Sequence, residues 1–223
     1  PHQHFQRPAF ISPILSTMPS LSFRHRQTNP LGLTGPLRRM RTRIKICGIT
    51  TPDDGLAAAN AGADAIGFIC YPPSPRYVAP PVASQIAMRM PPFVARVAVF
   101  VNPSAKEVAA VLDSVRIDML QFHGDENAAF CASFGLPYLK TARMRPDLDL
   151  LEYLAPFRGA AGWLLDTYRE NLYGGIGDAF DWSRIPSALE RPIVLSGGLE
   201  VANVREGIQR VRPWAVDVSS GVE

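Results

Sequence analysis

The sequence predicts an α/β fold of one architecture, a closed (β/α)8 barrel. Three observations predict it. From residue 43 onward, short β-rich runs alternate strictly with helical patterns, and strict alternation demands a parallel sheet covered by helices. Eight such runs suit one closed barrel, and polar residues capable of chemistry follow nearly every one, as they do at the C-terminal mouth of that fold. The turn after the first run reads Cys47-Gly48-Ile49-Thr50-Thr51-Pro52, which lacks the glycine fingerprint of an open dinucleotide-binding sheet.

The elements follow in order. Arg43–Cys47 reads as the first strand, and residues 52–61 as a helix opened by Pro52 with Thr50 or Thr51 as its cap. Residues 64–69 form the next strand, then a proline-rich loop and a helix over 81–90. Residues 94–101 make a strong strand, with 104–112 helical after it. Five more strands are expected at 117–122, 138–141, 162–166, 193–196 and 215–218. Helices over 126–133, 148–154, 182–189 and 201–211 separate them. The count is eight strands and seven helices, with no eighth helix after residue 218. That helix would cover strands 1 and 8, so its absence is expected to lower stability.

Composition sets limits. The 223 residues are 47% hydrophobic, enough for a core. No apolar run approaches the roughly 20 residues of a membrane span. Three cysteines, Cys47, Cys70 and Cys131, fit a reducing compartment better than a disulfide scaffold. The net charge of +3 hides an asymmetry, because residues 1–42 carry six arginines and no acid. The remainder holds 17 basic and 20 acidic residues, so the high isoelectric point does not point to nucleic acid. Residues 1–42 read as a disordered basic leader without periodicity. It is either upstream sequence ahead of a start at Met40, an organellar transit peptide, or a thin nucleic-acid arm. A cytoplasmic location is expected, with plastid or mitochondrion as the transit-peptide alternative.

Candidate site residues cluster at the strand ends. Cys47 ends strand 1, Arg76 follows strand 2, and Gln121 and His123 end strand 4. Asp166 ends strand 6, Ser196-Gly197-Gly198 strand 7, and Asp217-Val218-Ser219-Ser220-Gly221 strand 8. Small residues after strands 7 and 8 let an anion approach backbone N–H groups, the usual phosphate grip of this fold. His123 is the one histidine outside the leader. Without a second ligand at metal spacing, no metal site is expected.

These residues carry a resemblance. Ile44 through Thr50, Gly62 through Phe68, Ser74-Pro75-Arg76-Tyr77, Gln121-Phe122-His123-Gly124, Leu164-Leu165-Asp166-Thr167 and Val216 through Glu223 resemble, in order, the motifs of the phosphoribosylanthranilate isomerases. That family has barrels of the ribulose-phosphate-binding type. The resemblance implies an Amadori rearrangement of a phosphoribosyl substrate with no cofactor, in L-tryptophan biosynthesis. Such a reaction needs an acid to protonate the furanose ring oxygen and a base to take the C2 proton. The resemblance implies Asp166 as the acid and Cys47 as the base. It also implies Arg76 on the anthranilate carboxylate, and Gly197, Gly198, Ser219, Ser220 and Gly221 on the phosphate. Asp217 either contacts the ribose, orders Cys47, or is structural. His123 takes a supporting place, and Cys70 and Cys131 are read as inert. Partners are the small substrate and either no second chain or one identical copy, with no nucleic acid and no membrane. Ile176 stands where a Ser or Thr is usual, and Ala98 where a Gly is usual. Two rival readings are a related barrel such as indole-3-glycerol-phosphate synthase and a non-catalytic barrel remnant.

One further expectation concerns Lys45. Period-two geometry puts Lys45 and Cys47 on one face of strand 1, and closure brings strand 8 alongside. Lys45 is then expected to lie beneath the thiol with Asp217 within reach. Its charge either favours the thiolate or is cancelled by the carboxylate.

Overall fold

The structure, a computed structural model, describes residues 41–168 and 179–222. The readings of residues 1–40 and of Ile176 lie outside the described residues.

Eight strands close into an all-parallel barrel in the order β1 to β8. They are β1 (Arg43–Cys47), β2 (Ala65–Ile69), β3 (Ala95–Phe100), β4 (Met119–Phe122), β5 (Tyr138–Met144), β6 (Gly162–Thr167), β7 (Ile193–Leu195) and β8 (Ala215–Val218). Closure is made by β1 on β8, with Lys45 paired to Asp217 in register. The α-helices are α1 (Pro52–Asn60), α2 (Pro80–Arg89), α3 (Ala105–Ser114), α4 (Ala128–Ala132), α5 (Leu150–Leu154) and α6 (Val204–Val211).

Local sequence explains the helix starts. Thr51 caps α1 by accepting from Asp54 N at 3.2 Å, ahead of Pro52. Ser104 and Glu107 form a reciprocal capping box on α3. Asn127 and Asp149 cap α4 and α5 with their side chains.

Alternation sorts each strand into two faces. Outward residues of β2 to β6 pack under the helices; Phe68, Phe100, Phe122 and Leu165 are among the buried ones. Phe122 sits in an aromatic cluster with Phe100, Phe130, Phe134 and Tyr138, its ring centroids about 6 Å from theirs. Leu139, Leu164, Val194 and Ala215 fill the lower barrel interior. Above them the interior turns polar, and that layer supports the site.

Three expectations differ from the structure. The helix expected over 182–189 is a single 3-10 turn, Trp182–Arg184. Pro186 supplies no N–H and pushes the preceding Ile185 into an extended conformation, φ −80° and ψ 118°. The strand expected to end at Thr141 runs to Met144, pairing Arg143 with Asp166; the charged Arg143 in an apolar run had hidden its length. The helix expected from Val201 begins at Val204, because Asn203 is used as a clamp on the preceding loop. Among the described residues, β8 is followed by a 3-10 turn at Ser220–Val222 and by no α-helix. Ile44 and Ile46, on the outward face of β1, remain half-buried.

Candidate active site

The C-terminal strand ends enclose a cavity of about 320 Å³. Cys47, Arg76, Asp166, Gly197, Gly198, Asp217, Ser219 and Ser220 all line it, together with Gln121, His123 and Ser196. Ile69, Val99 and Val101 supply apolar wall. Gly221 does not line the cavity. A side chain there would collide with the Leu199 carbonyl, so Gly221 serves the close passage of the β8 loop beside the β7 loop.

Lys45 and Cys47 both point inward from β1, opposite Gly67 of β2. A Cβ on Gly67 would come within 2.8 Å of Cys47 Sγ and 3.1 Å of Lys45 Nζ. The missing side chain is what leaves room for both. Lys45 Nζ donates to Asp217 Oδ1 at 2.7 Å, and the two side chains are 4% and 5% exposed. Burial by itself would lower the Lys45 pKa, but the Asp217 carboxylate and then Cys47 outweigh it, and the ammonium is held charged. Burial also pushes the Cys47 thiol up, and the nearby Lys45 charge opposes that only in part, while Asp217 and Asp166 add to the rise. The net direction is upward, so Cys47 rests as a thiol. Of the two outcomes open for Lys45, its pull toward thiolate exceeds the opposing push of Asp217, and it is burial that leaves the thiol raised. Cys70, pushed up to about 12 by burial, and Cys131, to about 11, line no part of the cavity.

Asp166 ends β6 from the other side. Thr167 N donates to its Oδ1 at 2.9 Å, and His123 Nε2 lies 2.9 Å from its Oδ2. Gln121 Nε2 lies 3.1 Å from His123 Nδ1. His123 thus touches the acid candidate directly. No sequence pattern signals this pairing, because the partners stand 43 residues apart and meet only through closure of the barrel.

The rim is built for close approach. Gly48 sits at φ +85°, where its Cβ would come within 2.6 Å of Arg76 Cδ and 3.2 Å of Ser219 Oγ. Only glycine adopts that conformation freely, and only glycine lets the β2 and β8 loops meet there. Gly197 and Gly198 are left-handed too, at φ 81° and 62°. Asn203 clamps their loop: its Nδ2 donates to Gly198 O at 2.7 Å and its Oδ1 accepts from Glu200 N at 3.0 Å. Ser219 Oγ is buried with no hydrogen-bond partner among the described residues, an arrangement that costs energy until an acceptor or donor arrives.

Sequence reasoning missed one buried pair. Lys140 donates to Glu126 Oε2 at 2.8 Å and to Gly124 O at 2.7 Å, and Glu126 Oε1 accepts from Asn102 N and Gly124 N. This network ties the loops after β3 and β4 to strand β5. A lysine beside apolar neighbours at the start of β5 was its one sequence signal.

Such a mouth is that of a (β/α)8 acid–base enzyme. Residues 44–223 match the family model of N-(5'-phosphoribosyl)anthranilate (PRA) isomerase, and the chain belongs to that family. It is 53% identical over 181 residues to the N-(5'-phosphoribosyl)anthranilate isomerase of Alcanivorax borkumensis, covering 81% of this chain and 83% of the relative. With that of Leptothrix cholodnii it shares 55% over 183 residues, covering 82% and 83%. The crystal structure of the Thermotoga maritima isomerase superposes with a TM-score of 0.75 at 42% identity, covering 82% of this chain and 90% of that one. An isomerase solved with reduced 1-(o-carboxyphenylamino)-1-deoxyribulose 5-phosphate gives 0.69 at 39% identity, covering 82% and 89%. Among the described residues no helix is long and apolar enough to cross a membrane.

Proposed function

We propose that this cavity converts N-(5-phosphoribosyl)anthranilate to 1-(2-carboxyphenylamino)-1-deoxyribulose 5-phosphate, a step of tryptophan biosynthesis. One observation carries the reading beyond family membership: Cys47 and Asp166 face a single cavity whose rim is glycine- and serine-lined. Asp166 gives its proton to the furanose ring oxygen, the C1–O bond breaks, and the anilino nitrogen lone pair forms the iminium. Cys47, once its thiol proton has passed to solvent, removes the C2 proton as the thiolate, the electron pair moves to the nitrogen, and the enolamine tautomerises to the ketone. Positive charge on the iminium favours thiolate at Cys47 when it is needed, against the upward push of burial. Loss of the substrate's anthranilate fluorescence on adding purified protein tests the assignment; a steady signal with intact substrate rejects it.

Substrate binding divides along the rim. Arg76 takes the anthranilate carboxylate, and Gly197, Gly198, Ser219 and Ser220 take the phosphate, with the buried Ser219 Oγ, unpartnered among the described residues, as a donor. Asp217 is engaged by Lys45 and so orders the Cys47 side of the cavity. Inorganic phosphate is expected to compete with substrate. Arg76→Met raises KM by about 10- to 100-fold, the worth of hydrogen bonds to a charged group. Ser219→Ala raises KM and the phosphate inhibition constant together by roughly fivefold, one hydrogen bond. Unequal movement of those two constants would take Ser219 off the phosphate.

A further inference from the structure

We propose that His123 is a positioning residue for the isomerisation: Gln121 presents it to Asp166 in one tautomer, and its Nε2–H holds the carboxylate that Asp166 becomes as its proton leaves. The inference rests on Asp166 being the proton donor.

Three buried side chains on two elements form a line. Gln121 is 1% exposed as a residue, and the His123 and Asp166 side chains are 10% and 3% exposed. The Gln121 amide nitrogen can only donate. With that nitrogen 3.1 Å from Nδ1, Nδ1 must accept, which leaves the ring proton on Nε2. That nitrogen faces Asp166 Oδ2 at 2.9 Å, so the histidine donates to the carboxyl.

The chemistry follows from where charge develops. As the proton donor, Asp166 gains negative charge while the ring opens. One donor, Thr167 N, already meets Oδ1 at 2.9 Å. The imidazole supplies a second at Oδ2, and both strengthen as negative charge appears in a site largely shielded from water. The two donors also fix the plane of the carboxyl, while each oxygen retains a lone pair for the proton. A histidine that merely filled space would not need its tautomer set by an amide whose own Oε1 goes without a partner among the described residues. A half-turn of that amide would present an acceptor to Nδ1, moving the ring proton off Nε2. The observed orientation is the one that serves Asp166.

The test has two arms. In the first, His123→Leu removes the donor and is expected to lower kcat on the order of 10²-fold, as for loss of one preorganised donor, with KM within about threefold. His123→Gln places an amide nitrogen where Nε2 was and recovers kcat to within about tenfold of the parent, since a neutral donor is restored. Gln121→Leu keeps the ring but releases its tautomer, and kcat falls by about three- to tenfold, the worth of one neutral hydrogen bond. A purely structural role predicts that all three variants follow their melting temperatures and that His123→Gln gives no rescue over His123→Leu. His123→Leu at parental kcat, or His123→Gln no better than His123→Leu with both folded, would overturn the proposal. The second arm needs no activity. The 15N spectrum of the imidazoles reports whether the ring proton of His123, the one histidine beyond residue 25, sits on Nε2 in the parent and loses that preference in Gln121→Leu. A proton found on Nδ1 in the parent also overturns it. A parent that turns nothing over counts against the isomerase reading, and the spectrum then decides the His123 assignment by itself.

Discussion

Asp166→Asn and Cys47→Ser are each expected to lower kcat by about 10²- to 10⁴-fold, the range for losing one positioned acid or base, with little change in substrate binding. Both substitutions keep volume, so neither opens a cavity in the wall. Asparagine retains polar atoms for Thr167 N and His123 but has no proton of suitable acidity for the ring oxygen. Serine retains a hydroxyl where the thiol was, and its far weaker acidity leaves no anion to accept the C2 proton. Neither side chain is placed on the carboxylate or the phosphate, so KM should stay within a few-fold of the parent. The double variant should be scarcely slower than the worse single one, because residues acting in one reaction sequence are not additive. Steady-state assays by fluorescence, paired with binding of the reduced product analogue, separate turnover from affinity. A variant with parental kcat removes that residue from the mechanism, and one that fails to bind the analogue has lost its fold or its rim instead.

The architecture was legible because parallel strands buried on both faces must be apolar in short uninterrupted runs, as in residues 97–101. The Lys45–Asp217 contact was legible for a geometric reason: period two fixes the face, and closure of a barrel makes β1 and β8 neighbours. Structure adds the register, Lys45 against Asp217. What sequence could not supply is depth. Whether Cys47 rests as thiol or thiolate depends on how far burial outweighs one nearby ammonium, and no residue pattern reports that balance. Contacts between non-neighbouring positions were hidden as well. The Gly197 backbone passes so close to Asp166 Oδ1 that a Cβ would lie 2.7 Å from it, yet a Ser-Gly-Gly turn reads only as a phosphate grip. Pro186 was visible and its meaning clear in hindsight: a proline four residues into a helical pattern ends it.

Lys45 is expected to matter twice, to stability and to Cys47, and the two effects can be separated. Lys45→Met leaves the Asp217 carboxylate buried without its cation, and breaking one side of such a pair costs about 3–5 kcal/mol. Against a total of about 5–15 kcal/mol for a domain, that loss should bring a large fall in melting temperature. Lys45→Met/Asp217→Leu removes both charges and should recover most of the loss, since apolar replacement of a whole buried pair is often neutral or better. Activity should not recover with it. The ammonium is the one group found to pull Cys47 toward thiolate, so its removal pushes an already raised thiol higher still. The sign can be read by alkylation, because only the thiolate reacts. In the parent the rate for Cys47 should climb with pH through a midpoint above the ordinary thiol value of about 8.5. In Lys45→Met and in the double variant the midpoint should move further up, and the rate at neutral pH should fall. Removing Asp217 acts the other way, because that carboxylate raises the thiol; Asp217→Asn alone should bring the midpoint down. A folded double variant whose Cys47 titrates as in the parent would confine Lys45 to holding the barrel together.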